Sequence, residues 1–118
     1  KKVPRQEEIE KLSEKYPDLS VIKATSPLDH TTMWVELFPG HVSKSQTSEY
    51  LCAQLDIRRK EIVAIGNDYN DHDLLEWAGT SFVVANAPLD LLDRFGNAPS
   101  HDNHGFSWVV ENYIAGKD

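Results

Sequence analysis

The feature that most constrains the fold is a run of four apolar residues, 62–65, which stops at Gly66 and opens into carboxylates and amides. The run predicts a buried strand, the glycine a tight loop, and the polar residues the start of a helix. In open α/β sheets, ligands bind in the crevice outside the carboxyl ends of the strands. The loop therefore predicts a metal and phosphate site, with oxygen atoms from Asn67, Asp68, Asn70, Asp71 and Asp73.

The remaining sequence predicts an antiparallel N-terminal part and an α/β C-terminal part, with the boundary near residues 39 and 40. An amphipathic helix over 4–16 precedes two β-rich segments, 19–25 and 31–38, whose connecting turn residues suggest an antiparallel hairpin or a short connection. From residue 43 helices and strands alternate, which predicts a parallel sheet with right-handed crossovers, although only two strands are of clear parallel type. The expected order is helix 43–55, strand 62–65, helix 70–78, strand 81–85, helix 88–94, a loop over 96–105 and a helix over 106–114.

Composition narrows the class of protein. With 118 residues, of which 40% are apolar, the chain fits one small domain. Its net charge of −7 argues against nucleic-acid binding, which depends on clustered Lys and Arg. No stretch approaches the roughly 20 apolar residues that cross a bilayer, so we expect no membrane association. The single cysteine, Cys52, fits a reducing cytoplasm, and the lack of an initiator methionine hints at a fragment.

Each candidate site residue also has a structural explanation. Carboxylates and amides of the 66–73 loop suit half of a magnesium site, but acidic residues also cap and stabilise the start of a helix. Lys44 opens a helix, where a cation is adverse, so that a bound phosphate or simple solvation would account for it. Asn86 follows the second parallel strand and would lie beside the first loop if the two strands are neighbours, but most Asn-Ala-Pro sequences are simply turns. The pair His101 and His104 is a weak zinc signal, and surface histidines are commoner.

Three segments together resemble a known family: Gly-His-Val-Ser-Lys at 40–44, Ile-Gly-Asn-Asp-Tyr-Asn-Asp-His-Asp-Leu-Leu at 65–75, and Val-Val-Ala-Asn-Ala at 83–87. They look like the C-terminal portion of a Cof-type phosphatase of the haloacid dehalogenase superfamily. The resemblance covers residues 34–114. It implies an α/β fold: a partial, Rossmann-like three-layer core with parallel strands, preceded by the tail of an α+β cap domain. The implied division is 1–30 for the cap tail and 31–118 for the core.

The resemblance also implies a reaction and a role for each residue. In that family an aspartate attacks a small phosphate monoester to form an aspartyl phosphate, a second aspartate serves as acid and base, and Mg²⁺ orients the phosphate. Lys44 would be catalytic and bind the phosphate, and Asn70 would contact the phosphate or that lysine. Asp71 would support the metal, with Gly66 and Asn86 in supporting positions.

Two departures from the family pattern stand out. The metal-binding aspartate of the motif is Asn67 here, so that either its amide oxygen or Asp68 would bind the metal. No Asp-x-Asp followed by Gly-Thr occurs in the 118 residues, and covalent catalysis needs its nucleophile. We therefore expect no turnover from this chain alone. One alternative is a non-catalytic domain that binds an anion or a partner and self-associates through an exposed sheet edge or pairs with a missing N-terminal segment. Another is a cation-binding module without phosphate chemistry.

Overall fold

A computed structural model describes residues 6–29 and 31–115 of the protein. The first two residues of the predicted helix 4–16 lie outside this range, as does residue 30, where the predicted cap tail ends. The described helices are α1 (Gln6–Lys15), α2 (Lys44–Leu55), α3 (His72–Trp77), α4 (Leu89–Leu92) and α5 (Gly105–Val109), and the strands are β1 (Leu19–Thr25), β2 (Met33–Pro39), β3 (Val63–Gly66), β4 (Thr80–Val84) and β5 (Gly96–Ala98). No helix in this part of the chain has the length and apolar character needed to cross a membrane.

Strands β1 and β2 form the predicted antiparallel hairpin, in register from Leu19 opposite Pro39 to Thr25 opposite Met33. Asp29 closes its turn because the carboxylate accepts the main-chain N–H of Thr31 and of Thr32, at 3.0 and 2.7 Å. The division at residue 30 falls inside this hairpin, whereas the change from antiparallel to parallel sheet comes after β2. The domain division itself stays a prediction.

The second sheet is parallel and has the order β3-β4-β5. Its third strand corrects our sequence interpretation, which placed residues 96–98 in a loop. Gly-Asn-Ala carries no β-branched residue and no alternation, so nothing local marks it as a strand. It is held by pairing with β4 and by packing: a Cβ on Gly96 would lie 2.8 Å from the Phe82 ring, and Ala98 is buried.

Helices cover both faces of the parallel sheet. Five residues from β3, β4, α3, α4 and the loop after β4 form one cluster, namely Ala64, Leu75, Val83, Ala87 and Leu91. On the other face Phe82 and Ala98 pack against Val109 of α5. The predicted helix 106–114 is α5 followed by a π-helical turn (Val110–Ile114). The three-layer α/β arrangement expected from the sequence is confirmed.

Candidate functional site

The loop that follows β3 is shaped by two carboxylates, of which Asp68 is the first. Its Oδ1 accepts the N–H of Tyr69 at 2.7 Å, which caps the 3₁₀ turn Tyr69–Asp71. Its Oδ2 accepts the N–H of Thr25 at 2.6 Å, so the same side chain reaches the end of β1. Asp68 is only 8% exposed. Because the 3₁₀ turn occupies 69–71, the predicted helix 70–78 is shorter than expected and begins at His72.

The second carboxylate, Asp71, forms an ion pair with Lys44. Ser43 caps α2 by accepting the N–H of Gln46 at 3.1 Å, which sets Lys44 in the first turn of the helix. The Lys44 ammonium donates to Asp71 Oδ1, and the N–H of Asn67 donates to Asp71 Oδ2 at 3.0 Å. The Asp71 side chain is 10% exposed and that of Lys44 is 50% exposed. The pair thus joins a buried carboxylate to an ammonium that still faces solvent.

Asp73 fixes the start of α2 to the start of α3. Its Oδ2 accepts the Ser45 hydroxyl at 2.7 Å and the Ser45 N–H at 3.2 Å. Burial raises the pKa of Asp73, but hydrogen bonds from Ser45 and Ser43 outweigh it, so the pKa lies below its ordinary value. Asp73 is therefore a carboxylate at neutral pH. Its bonds to Ser45 hold the first turn of α2, which also carries Lys44. The role of Ser45 was not anticipated from the sequence, since a serine in a first helical turn carries no distinguishing pattern.

Two further predicted residues, Asn67 and Asn86, line one cavity, which we call the Asn67 cavity. Its volume is about 660 Å³, and Asp68, His101 and Asp102 also line it. Asn86 orders the far side of the cavity, since its Oδ1 accepts the N–H of His101 at 2.9 Å. Because β3 and β4 are neighbours, the loops that follow them meet, as the sequence predicted for strands in that arrangement.

Lys44 and Asn70 line a different cavity, of about 290 Å³, together with Ser43 and Asp73. The Oδ1 atom of Asn70 is buried and has no hydrogen-bond partner among the described residues. An unpaired buried acceptor costs about 1–3 kcal/mol. This oxygen is therefore suited to a donor or a cation that arrives with a ligand.

The donors of the loop suit a hard cation such as Mg²⁺, but they do not complete its coordination. Amide and carboxylate oxygens are the ligands that Mg²⁺ prefers, and the loop offers the exposed amide of Asn67 and the unpaired oxygen of Asn70. Within residues 6–29 and 31–115, no group of three His, Cys, Asp or Glu side chains could hold a metal ion. A magnesium ion here would need further oxygens from water or from another segment.

A parallel sheet with helices on both faces defines an α/β protein. The polar loop after β3, joined to Lys44 of α2, lies at the carboxyl edge of this sheet, where open α/β sheets bind their ligands. The chain belongs to the haloacid dehalogenase-like hydrolases, whose family model matches residues 2–107. The resemblance to the Cof-type phosphatases of this superfamily is thereby confirmed.

Particular relatives match this chain over much of its length but only over part of theirs. It is 30% identical to phosphatase YwpJ of Bacillus subtilis strain 168 over 80 residues, which are 67% of this chain and 28% of that protein. It is 35% identical over 75 residues to a phosphoglycolate phosphatase of Haloarcula marismortui, covering 61% of this chain and 32% of that protein. The solved structure of a haloacid dehalogenase-like hydrolase from B. subtilis is similar with a TM-score of 0.76 at 25% identity, covering 93% of this chain and 38% of the other. The chain thus spans about a third of the length of its relatives.

Proposed function

We propose that this chain forms the phosphate-binding wall of a Mg²⁺-dependent phosphatase that hydrolyses small phosphate monoesters. An aspartate outside these 118 residues would attack the phosphorus atom to give an aspartyl phosphate, so the chain alone would not turn over substrate. The observation that carries the proposal is the meeting of Lys44 with Asp71, 27 residues away in sequence, at the carboxyl end of β3. The names of the matched relatives, which are phosphatases, support the same reading.

Lys44 supplies the positive charge in this proposal. An ammonium has three donors, and the ion pair with Asp71 uses one of them. The remaining donors and the half-exposed position leave the ammonium available to a phosphate oxygen. Asn70 would donate its amide N–H to the same phosphate, while its unpaired oxygen accepts from a donor or contacts a cation.

Mg²⁺, when bound, would neutralise charge on the phosphate and favour attack on phosphorus. Asn67 would offer its amide oxygen to the ion. Asp71 would support the loop through its bond with the Asn67 N–H rather than contact the ion on that side. Asp68, the alternative to Asn67 as metal ligand, has each oxygen occupied by a main-chain N–H and is left out of the proposed metal site. Gly66 keeps room for Asp71, and Asn86 orders the neighbouring loop.

The test uses inorganic phosphate as the probe, with binding followed by amide chemical shifts in NMR. We expect shifts at residues 44 and 66–71, and a loss of at least tenfold in affinity for Lys44→Met. The matched control is Lys11→Met, which removes an exposed lysine of α1. Equal affinity in the two variants would remove Lys44 from the site. Separately, the chain should not hydrolyse p-nitrophenyl phosphate, and hydrolysis by the purified chain would refute the missing-nucleophile argument.

A second candidate function is a non-catalytic domain that assembles through its sheet edge. Among the described residues β3 pairs with β4 on one side only, and an unpaired edge is a template for another strand. The side chains of Tyr50, Leu51 and Leu55 on α2 are exposed by 55–69% and add apolar surface. A second copy or a separate N-terminal segment would cover both features. Light scattering that gives the mass of a monomer at 100 µM protein, a concentration on the order of that used for NMR, would count against self-assembly.

A further inference from the structure

The loop between Asn67 and Asn70 is tied to the hairpin at two consecutive residues. We infer that Asp68 is a positioning residue whose role is to hold the end of β1 against this loop, and that it is not a metal ligand. The inference rests on the proposed function, since the loop that Asp68 positions is the one proposed to bind phosphate and Mg²⁺. It gives the hairpin a defined part in that site.

The first tie is the carboxylate of Asp68 itself. It accepts main-chain N–H groups from two segments, Thr25 at 2.6 Å and Tyr69 at 2.7 Å. The two residues that flank Thr25, Ala24 and Ser26, are buried, with 5% and 2% exposure. The end of β1 is therefore packed as well as hydrogen-bonded. Because each oxygen of this nearly buried carboxylate accepts a main-chain N–H, its hydrogen-bonding requirement is met within the protein. A bound metal is therefore not needed to explain why Asp68 is buried.

The second tie lies at the next residue of the loop. The Lys23 ammonium lies 4.0 Å from the centre of the Tyr69 ring, a cation–π distance. The Tyr69 hydroxyl in turn donates to Asp90 Oδ1 at 3.0 Å. Burial, followed by this bond to Asp90, raises the pKa of Tyr69, so the hydroxyl stays protonated and remains a donor. Lys23 and Thr25, which are two positions apart in β1, thus contact the consecutive loop residues Tyr69 and Asp68.

The two ties fix residues 68 and 69, which lie between Asn67 and Asn70 in the chain. A displacement of the hairpin would therefore change the main-chain geometry on both sides of the tie. Asn67 would turn relative to Asp71, whose Oδ2 accepts its N–H, and Asn70 would move relative to Lys44. Hairpin docking and ligand binding in the loop should consequently be coupled.

Three variants separate the positioning role from metal coordination. Asp68→Ser keeps a capping acceptor for the Tyr69 N–H but is too short to reach Thr25. Thr25→Pro removes the N–H donor and leaves the carboxylate intact. Asp68→Asn preserves volume and is the variant least expected to disturb folding. The matched control is Asp93→Ser, at an exposed aspartate after α4.

Two measurements are made on each variant after a circular-dichroism check of folding. The first is the NMR cross-relaxation between the Lys23 methylenes and the Tyr69 ring, which reports docking without using a mutated residue. The second is the affinity for Mg²⁺ alone, by calorimetry. We expect all three variants to lose most of the cross-relaxation and to weaken Mg²⁺ binding by a similar factor, about tenfold, while the control does neither.

The outcomes distinguish this inference from the proposed function. Persistent cross-relaxation in all three variants would refute the inference that Asp68 holds the end of β1 against the loop. Weaker Mg²⁺ binding in both Asp68 variants but unchanged binding in Thr25→Pro would identify Asp68 as a direct ligand and overturn the positioning role. Absence of Mg²⁺ binding in the unmodified protein would refute the metal part of the proposed function, and the cross-relaxation alone would then decide the tie.

Discussion

Replacing Lys44 by Met tests the ion pair on which the candidate site depends. Exposed ion pairs contribute about 0.2–1 kcal/mol, whereas removing one partner of a fully buried pair costs about 3–5 kcal/mol. Here the Asp71 side chain is 10% exposed and Lys44 is 50% exposed, and Asp71 keeps its bond from the Asn67 N–H. We therefore expect the free energy of unfolding to fall by about 1–2 kcal/mol, between the two limits. At about 4 °C per kcal/mol this lowers Tm by roughly 4–8 °C.

A double-mutant cycle isolates the pair from other effects of each substitution. Urea unfolding, followed by tryptophan fluorescence, is measured for Lys44→Met, Asp71→Asn and the double variant, with Lys11→Met as the control. Because the two side chains are in contact, we expect a coupling energy of about 1 kcal/mol. Salt at 0.5 M, a concentration at which the screening length is only about 4 Å, should reduce the coupling only in part because Asp71 is buried. A Lys44 variant as stable as the control, or coupling within about 0.3 kcal/mol of zero, would refute the electrostatic argument.

Three other substitutions or conditions give separate outcomes. Asn67→Asp adds a charged oxygen, so Mg²⁺ affinity in calorimetry should rise; unchanged affinity would place Asn67 outside the metal site. Gly66→Ala forces a Cβ to within 2.8 Å of the Asp71 Cβ and should cost about 1–3 kcal/mol, with weaker phosphate binding. Gly96→Ala, the control, should destabilise through Phe82 without changing that binding. Hydrogen bonds from Thr32 and then Thr31 lower the pKa of Asp29 from 3.8 to about 2. Its stabilisation of the hairpin turn is therefore complete above about pH 4 and lost as pH falls to about 2, which carboxyl NMR titration checks; Asp29→Asn should remove this dependence.

Local patterns predicted most of the fold, and the exceptions have physical reasons. β-branched residues and turn residues marked the hairpin, and apolar runs marked β3 and β4 because the side chains of those two strands pack into the core. Strand β5 was missed because pairing with β4 and the contact of Gly96 with Phe82 hold it, and neither has a local signature. The split of the predicted helix 70–78 follows from the cap by Asp68, a competition between turn and helix that periodicity does not resolve.

The sequence nominated the candidate site residues but not the contacts between them. Motif spacing singled out Lys44 and Asp71, and the structure brings them together in an ion pair. The bond from the Thr25 N–H to Asp68 joins residues 43 apart in sequence, and a main-chain donor leaves no mark on residue type. His101 lines the Asn67 cavity, and its N–H donates to Asn86. The sequence suggested for it only a weak zinc pair with His104.

The neutral side chain of Asn67 determines how charge is balanced in the loop. Asp71 already faces the Lys44 ammonium, and Asp68 faces two main-chain N–H groups. Each carboxylate of residues 66–71 therefore has partners within the protein. The amide oxygens of Asn67 and Asn70 have no hydrogen-bond partner among the described residues and are the ones left for a cation. The ammonium, in contrast, keeps donors for an anion. An aspartate at position 67 would have added an unpaired negative charge beside the proposed phosphate position, which only a bound cation would offset. With asparagine, the loop retains a structure that is electrostatically satisfied without metal, and phosphate binding should depend less on Mg²⁺ than it would with a carboxylate there.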